Sequence, residues 1–322
     1  MRLGFYGIQK TFVTKYFQMA SRREFLSTTA ASAGLLLTPL KDWATPEFSK
    51  AAPGFSLTLL ATNWGFGGTW DEFCSKAKKE GYDGAEIWWP GGDEKSRTEL
   101  FSALQKYNLK VGFLYGSGET DFLKHEAQFQ EVINAAAKTK PLYINCHSSK
   151  DFFTVEQKSK LINFTTGLAL SSGVPIYHET HRGRALYSAT VTKELIEKIP
   201  ELRLTLDISH WCNVHESLLQ DQEETVNLAL GRTDHIHARI GHAEGPQVND
   251  PRAPEWESAV KAHFAWWDKV VERKRKEGNR ITFLTEFGPP HYLPALPYSQ
   301  LPVANQWDIN VYMLQTLRKR YS

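Results

Sequence analysis

From Phe55 onward, short apolar runs alternate with stretches of helical period. The runs are LTLLAT (57–62), GAEIWW (84–89), KVGFLY (110–115), LYINCH (142–147), VPIYHE (174–179), LRLTLD (202–207), HIHARI (235–240) and ITFLTE (281–286). Each has the length of a strand and is bounded by turn or polar residues. Helices are predicted between them, among others over 122–138, 155–171, 192–199, 255–277 and 305–319. Within 255–277, Trp256, Val260, Phe264, Trp267 and Val271 recur at helical spacing and predict one apolar face. The run ERKRKEG at its end reads as a solvated helix end closed by Gly278. Eight strand signals, each followed by a helix or a long loop, predict a single-domain α/β fold, a (β/α)8 TIM barrel, over 53–322. An open doubly wound sheet is the alternative. NWGFGGTW, after the first run, has the wrong spacing for a dinucleotide fingerprint.

In such a barrel the active site lies at the C-terminal ends of the strands, and the polar residues of this chain fall there. Glu86 lies late in the second run, and His147 ends the fourth. Glu179 ends the fifth, Asp207 the sixth and Glu286 the eighth, with His210 three residues after Asp207. His235, His237 and Arg239 alternate along the seventh and so share a face. Converging carboxylates repel one another and need protons or a cation. One divalent metal ion is the simplest answer, held by Glu179, Asp207, His237 and Glu286. Three oxygen ligands and one nitrogen suit Mn²⁺, Mg²⁺ or Co²⁺, and Zn²⁺ accepts the same donors. His235 is the rival of His237 but lies deeper, where a packed core histidine is expected. His210 fits a role behind the ligands or against substrate. His147 and Glu86 are open between structural and substrate-binding roles.

The bulk numbers narrow the partners. A net charge of +2 over 322 residues gives no reason to expect nucleic acid, and a hydrophobic content of 41% supports a sizeable core. Ten tryptophans include Trp64, Trp88 and Trp89, an expected apolar wall for a sugar ring. The three cysteines, Cys74, Cys146 and Cys212, form no CxxC pair and read as buried small hydrophobes.

Residues 1–52 stand apart as an expected export signal and linker. SRREFLSTTAASAGLLLTPL carries Arg22 and Arg23, then a short, mildly apolar run. It resembles a twin-arginine signal and is too weak for a stable membrane span. Met19 is the more natural start, and Ala44 and Ala52 are candidate signal ends. The implied partner is the twin-arginine export machinery, and the implied location is the periplasm or another exported site. The sequence gives no oligomeric state.

GAEIWW, HETHRGR, LDISHW, HIHARIGH and LTEFGPP, in this order and at strand ends, resemble the xylose isomerase-like superfamily of sugar isomerases and epimerases. The resemblance spans about 55–322. It implies a single divalent metal on Glu179, Asp207, His237 and Glu286. In the epimerase branch the first and last of these Glu residues also move protons, so the catalytic role falls on Glu179 and Glu286. The loop ARIGHAEGPQVNDPR departs from the epimerases and leaves the substrate open. His181, Arg182 and Arg184 follow Glu179 onto the barrel mouth, where they meet hydroxyls or an anionic group, or anchor loops.

The expected function is a metal-dependent isomerase or epimerase of a sugar or keto-sugar, using a carboxylate to abstract a proton and form an enediolate. Arg239 would hold a distal part of the substrate. The alternative is a metal-dependent lyase or hydrolase of oxidised (3-keto) glycosides. A non-catalytic sugar-binding protein is a remoter reading, since the ligand set is complete. DNA repair of the endonuclease IV type is disfavoured by the near-neutral charge and by the lack of further His and Asp ligands.

Overall fold

A computed structural model of the chain describes Trp43 and residues 45–322. The twin-arginine-like stretch and Met19 lie outside the described residues. The strands are β1 (Ser56–Thr62), β2 (Gly84–Trp88), β3 (Lys110–Tyr115), β4 (Ile144–Cys146), β5 (Ile176–Glu179), β6 (Leu204–Leu206), β7 (Thr233–His237) and β8 (Arg280–Thr285). All neighbouring pairs are parallel, and β1 pairs with β8 to close the barrel in sequence order. The helices are α1 (Trp70–Glu80), α2 (Glu94–Lys106), α3 (Phe122–Lys138), α4 (Val155–Ser172), α5 (Ala189–Lys198), α6 (Ile208–Val214), α7 (Glu223–Arg232), α8 (Glu257–Glu277) and α9 (Gln306–Tyr321). The predicted (β/α)8 barrel is what the chain forms.

Local chemistry sets the ends of these elements. Thr69 and Glu72 make a capping box at α1, as Thr154 and Gln157 do at α4. Gly278 closes α8 in the left-handed conformation, as the sequence predicts. On α8, Val260, Phe264, Trp267 and Val271 are buried, facing the barrel. The main core fills the space between barrel and helices. A second, small cluster of Leu60, Tyr143, Tyr177 and Leu284 plugs the barrel interior. Gly112 makes room for that plug: a Cβ there would stand 2.4 Å from the Tyr143 ring.

Two differences from the sequence reading concern Arg239 and the stretch before the barrel. The seventh strand begins at Thr233 and ends at His237, and the chain then turns, with Arg239 N–H bonding His237 O at 3.0 Å. Arg239 is therefore not a strand residue. The stretch expected as linker is packed on the barrel from Trp43 onward. Trp43 Nε1 donates to the Tyr312 hydroxyl (3.1 Å), and Ser49 binds Glu272 through both backbone and hydroxyl (3.1 and 2.6 Å). Among the described residues, no helix is long and apolar enough to cross a membrane.

Candidate active site

Parallel strands in register bring their C-terminal ends to one level. Glu179 and His237 close β5 and β7, while Asp207 and Glu286 follow β6 and β8 by one residue. Each of the four offers a ligand atom, and these atoms all lie within 4.8 Å of one another. All four side chains are buried. His237 Nδ1 approaches Glu286 Oε2 at 2.8 Å and Glu179 Oε1 at 3.6 Å. Neither His237 Nδ1 nor Glu286 Oε2 has a hydrogen bond of acceptable geometry. Buried polar atoms are rarely left so. Carboxylate and imidazole atoms brought this close are compatible with holding a divalent cation.

The electrostatics agree with an unmet need for positive charge. Burial alone would push the His237 pKa down, but Glu286, Glu179 and Glu86 hold it well above its ordinary value. Burial pushes Asp207 up to about 6; Arg239 opposes the shift, and the nearby Glu286 and Glu179 reinforce it. Glu179 goes the other way. Burial would raise it, but His147 and His237 hold it well below the usual carboxylate range. Its Oε2 accepts from Asn145 Nδ2 (2.7 Å) and faces His147 Nε2 (2.8 Å), which fixes the carboxylate from the β4 side.

Arg239 does not reach out to a distal group. It is buried at the floor of the site, where it pairs with Asp207 and donates to Ser209 Oγ (3.2 Å) and His210 Nε2 (2.8 Å). The turn after His237 explains this, since it points the guanidinium back across the strand ends. Because His210 Nε2 accepts from Arg239, the imidazole proton sits on Nδ1, which is buried and has no partner. His210 thus holds a buried donor that no side chain or backbone group meets. His181 stacks between His147 and His210, with ring centroids at 4.4 and 3.9 Å. Its Nδ1 meets the carbonyl of Arg182 at 2.5 Å. Arg182 binds Asn213 Oδ1 at 3.1 Å and lies over Tyr292.

Trp64 and Trp88 flank a cavity of about 460 Å³ whose wall includes Glu286 and Glu86. Both indoles are exposed, at 38% and 45%. Gly288 permits this, because a Cβ there would stand 2.3 Å from the Trp64 ring. Trp89 is not part of the wall. Successive strand side chains face opposite ways, and Trp89 is buried outside the barrel against Phe113 (4.9 Å). Glu86 touches the cavity but makes its polar contacts below the site, with Tyr143 Oη (2.7 Å), His235 Nε2 (3.1 Å) and His237 Nε2 (3.0 Å). His235 is fully buried, and its Nδ1 meets Thr282 Oγ1 at 2.7 Å, as befits a core histidine.

Sequence reasoning missed Asn145, Ser209 and Tyr292. Asn145 stands two residues before His147, so strand alternation marks it as inward-facing. Tyr292 has no such signal. It lies in the loop after β8, with its ring 4.9 Å from Trp64 and 4.8 Å from the Arg239 guanidinium. The cysteines are buried and free, as expected.

A second cavity, of about 400 Å³, is lined by Arg203, Asp234 and Lys274. Its charges satisfy one another. Arg203 grips Asp234 through two bonds (2.6 and 2.7 Å), and Lys274 pairs with the same carboxylate. Among the described residues that line it, no buried side-chain nitrogen or oxygen lacks a hydrogen-bond partner.

No family model and no curated protein matches the sequence. Solved structures do match the fold. D-allulose 3-epimerase from Methylomonas sp., in complex with D-allulose, superposes with a TM-score of 0.57 at 16% identity, covering 86% of this chain and 100% of its own. The 3-keto-D-glucoside 4-epimerase of E. coli gives 0.55 at 14% identity, covering 82% and 100%. A xylose isomerase-like TIM barrel protein from Mycobacterium smegmatis, in complex with magnesium, gives 0.54 at 10% identity, covering 82% and 98%. What this chain has in common with all three is the fold, a (β/α)8 TIM barrel.

Proposed function

We propose that the protein is a metal-dependent isomerase or epimerase acting on a sugar or keto-sugar. One observation carries the reading. Glu179, Asp207, His237 and Glu286 converge, with His237 Nδ1 and Glu286 Oε2 lacking partners, beside a cavity flanked by two exposed tryptophans. The likeness to barrels named as sugar epimerases, and to one named as holding magnesium, supports it.

Three carboxylates and one imidazole fit a hard or borderline divalent ion, Mn²⁺, Mg²⁺ or Co²⁺, with Zn²⁺ using the same donors. Such an ion, when bound, supplies charge stabilisation to adjacent substrate oxygens worth several kcal/mol in the transition state. The remaining chemistry belongs to the side chains. Glu286 lines the cavity and is placed to take a proton from the carbon next to a carbonyl. Glu179, held ionised and backed by His147, faces the substrate from three strands away and serves proton return. The Nδ1–H of His210 orients a substrate oxygen. Trp64 and Trp88 give the ring an apolar wall that admits a carbohydrate and excludes water from one side.

The test is a panel of sugars and 3-keto-glycosides incubated with metal-loaded protein in D₂O and read by NMR. Deuterium should enter at the carbon next to the carbonyl. Chelation should stop the exchange, and Glu286→Gln should abolish it. Turnover of a true substrate with no solvent deuterium in product or recovered substrate rules out the carboxylate shuttle and favours a hydride shift or direct hydrolysis.

Arg22 and Arg23 support placing this activity outside the cytoplasm, with the twin-arginine machinery as partner and an unphosphorylated carbohydrate as substrate. Lys at both positions should trap the protein in the cytoplasm. Unchanged export removes the argument.

A further inference from the structure

Glu86 lies in the barrel interior on β2, nearly fully buried and away from bulk water. A lone buried carboxylate is costly unless it is paired, and each of its oxygens faces a histidine of β7. Oε2 accepts from the Tyr143 hydroxyl (2.7 Å) and meets His235 Nε2 (3.1 Å). Oε1 faces His237 Nε2 at 3.0 Å and has no well-aligned hydrogen bond from any group. The approach to His237 is oblique, so its hold on the ring is by charge as much as by direction.

The position of the His237 proton follows from satisfying these contacts together. His235 Nδ1 faces the Thr282 carbonyl (3.1 Å), which can only accept, as well as Thr282 Oγ1 (2.7 Å), so the His235 proton is not fixed toward Glu86. Tyr143 donates its only proton to Oε2. Oε1 then has one neighbour able to meet its charge, His237 Nε2. A bare Nε2 would set a lone pair against a carboxylate oxygen 3.0 Å away inside the barrel. Asn145 Nδ2 lies 3.2 Å from the same nitrogen and has a second hydrogen beyond the one it gives Glu179 Oε2 (2.7 Å), but a cation on Nδ1 leaves the ring's only proton on Nε2, where Glu86 Oε1 is the acceptor at hand.

We infer that Glu86 is a positioning residue for the cation site: it holds the His237 proton on Nε2, so that the Nδ1 lone pair is presented to Glu179, Asp207 and Glu286. Its task is not to bind substrate. The inference rests on the metal reading given under Proposed function. It adds that β2, which supplies no ligand, sets the affinity of the site through one hydrogen on the far side of the imidazole. Tyr143 and His235 hold Glu86 in place, and Gly112 lets the Tyr143 ring reach it.

Metal-free protein titrated with Mn²⁺ by calorimetry is the first arm. Glu86→Gln keeps the shape and removes the charge, and it should weaken Mn²⁺ roughly 10–100-fold, the range usual for outer partners of a ligating histidine. Tyr143→Phe leaves Oε1 untouched and should weaken Mn²⁺ by less than about threefold, well below that range. The second arm needs no variant. Long-range ¹H–¹⁵N spectra of the Zn²⁺-loaded native protein should show His237 protonated on Nε2. Glu86→Gln with native melting and native affinity overturns the inference, as does a loaded His237 protonated on Nδ1. Failure of the native protein to bind any divalent ion instead overturns the metal reading itself.

Discussion

Two charged cavities of the molecule treat buried carboxylates in opposite ways. Around Asp234, at the start of β7, the carboxylate has a bidentate arginine and a lysine, and every charge is answered within the protein. Burial would raise the Asp234 pKa, but Arg203 and Lys274 bring it below the ordinary value. At the C-terminal ends, Glu179, Asp207 and Glu286 crowd around His237 with atoms left unpaired. Arg239, paired with Asp207, offsets part of the negative charge, and the carboxylates around His237 hold its pKa well above the ordinary value. The difference teaches where to look for function. A closed ion pair stabilises the barrel, whereas an open one waits for something to complete it.

The comparison can be broken by substitution. Asp234→Ala leaves Lys274 and Arg203 facing each other without their shared partner, and it should lower unfolding stability by about 3 kcal/mol. Chemical denaturation would show it. Mn²⁺ affinity should not change, and a change would mean that the two regions are coupled.

The second prediction sharpens the comparison through pH. His263 on α8 is fully buried behind the mouth, with Nδ1 bonding Ala259 O (2.8 Å) and Nε2 accepting from Gly241 N–H (3.2 Å). Burial depresses its pKa to about 4. Only the neutral ring keeps the Gly241 bond. A depressed folded pKa means that this contribution is complete above the unfolded value near 6.5 and is lost as pH falls toward 4. The loss over that window should approach about 3 kcal/mol. The Asp234 cluster should hold through the same window, because its shift operates below the ordinary carboxylate range. Denaturant midpoints between those pH values would check it. The slope for His263→Gln should be shallower by about one proton, and an unchanged slope excludes His263 as the titrating group.

The smallest expected effect lies in the mouth itself. In metal-free protein, Glu286→Gln removes one of several converging carboxylates and should change stability by less than about 1 kcal/mol. Loss of more than twice that would show that Glu286 is part of the scaffold, and the contrast between the two regions would fail.

The sequence was strongest where a residue's role follows from its own strand. Lys110–Tyr115 and Phe122–Lys138 match their predicted spans, because strand alternation and helical period are local signals. Glu179, Asp207 and Glu286 were placed at strand ends for the same reason, since each closes an apolar run, and His237 was placed among them by its alternation with His235 and Arg239. Arg239 and Trp89 were misread because a turn and a strand face decided them. Glu86 was visible as a buried carboxylate but not as a partner of His237.

By itself, then, the chain determined eight strands, the helices between them and the strand ends that carry carboxylates and imidazole, all written in short-range periodicity. Only the tertiary structure decided which of those groups meet. Tyr292 reaches Trp64, and Glu86 reaches His237 from 151 positions away, because closure of β1 on β8 fixes distances that no local pattern encodes. The physical reason is that pairing register and barrel closure are properties of the whole sheet. Each strand specifies which of its side chains point inward, and the closed barrel specifies what they find there.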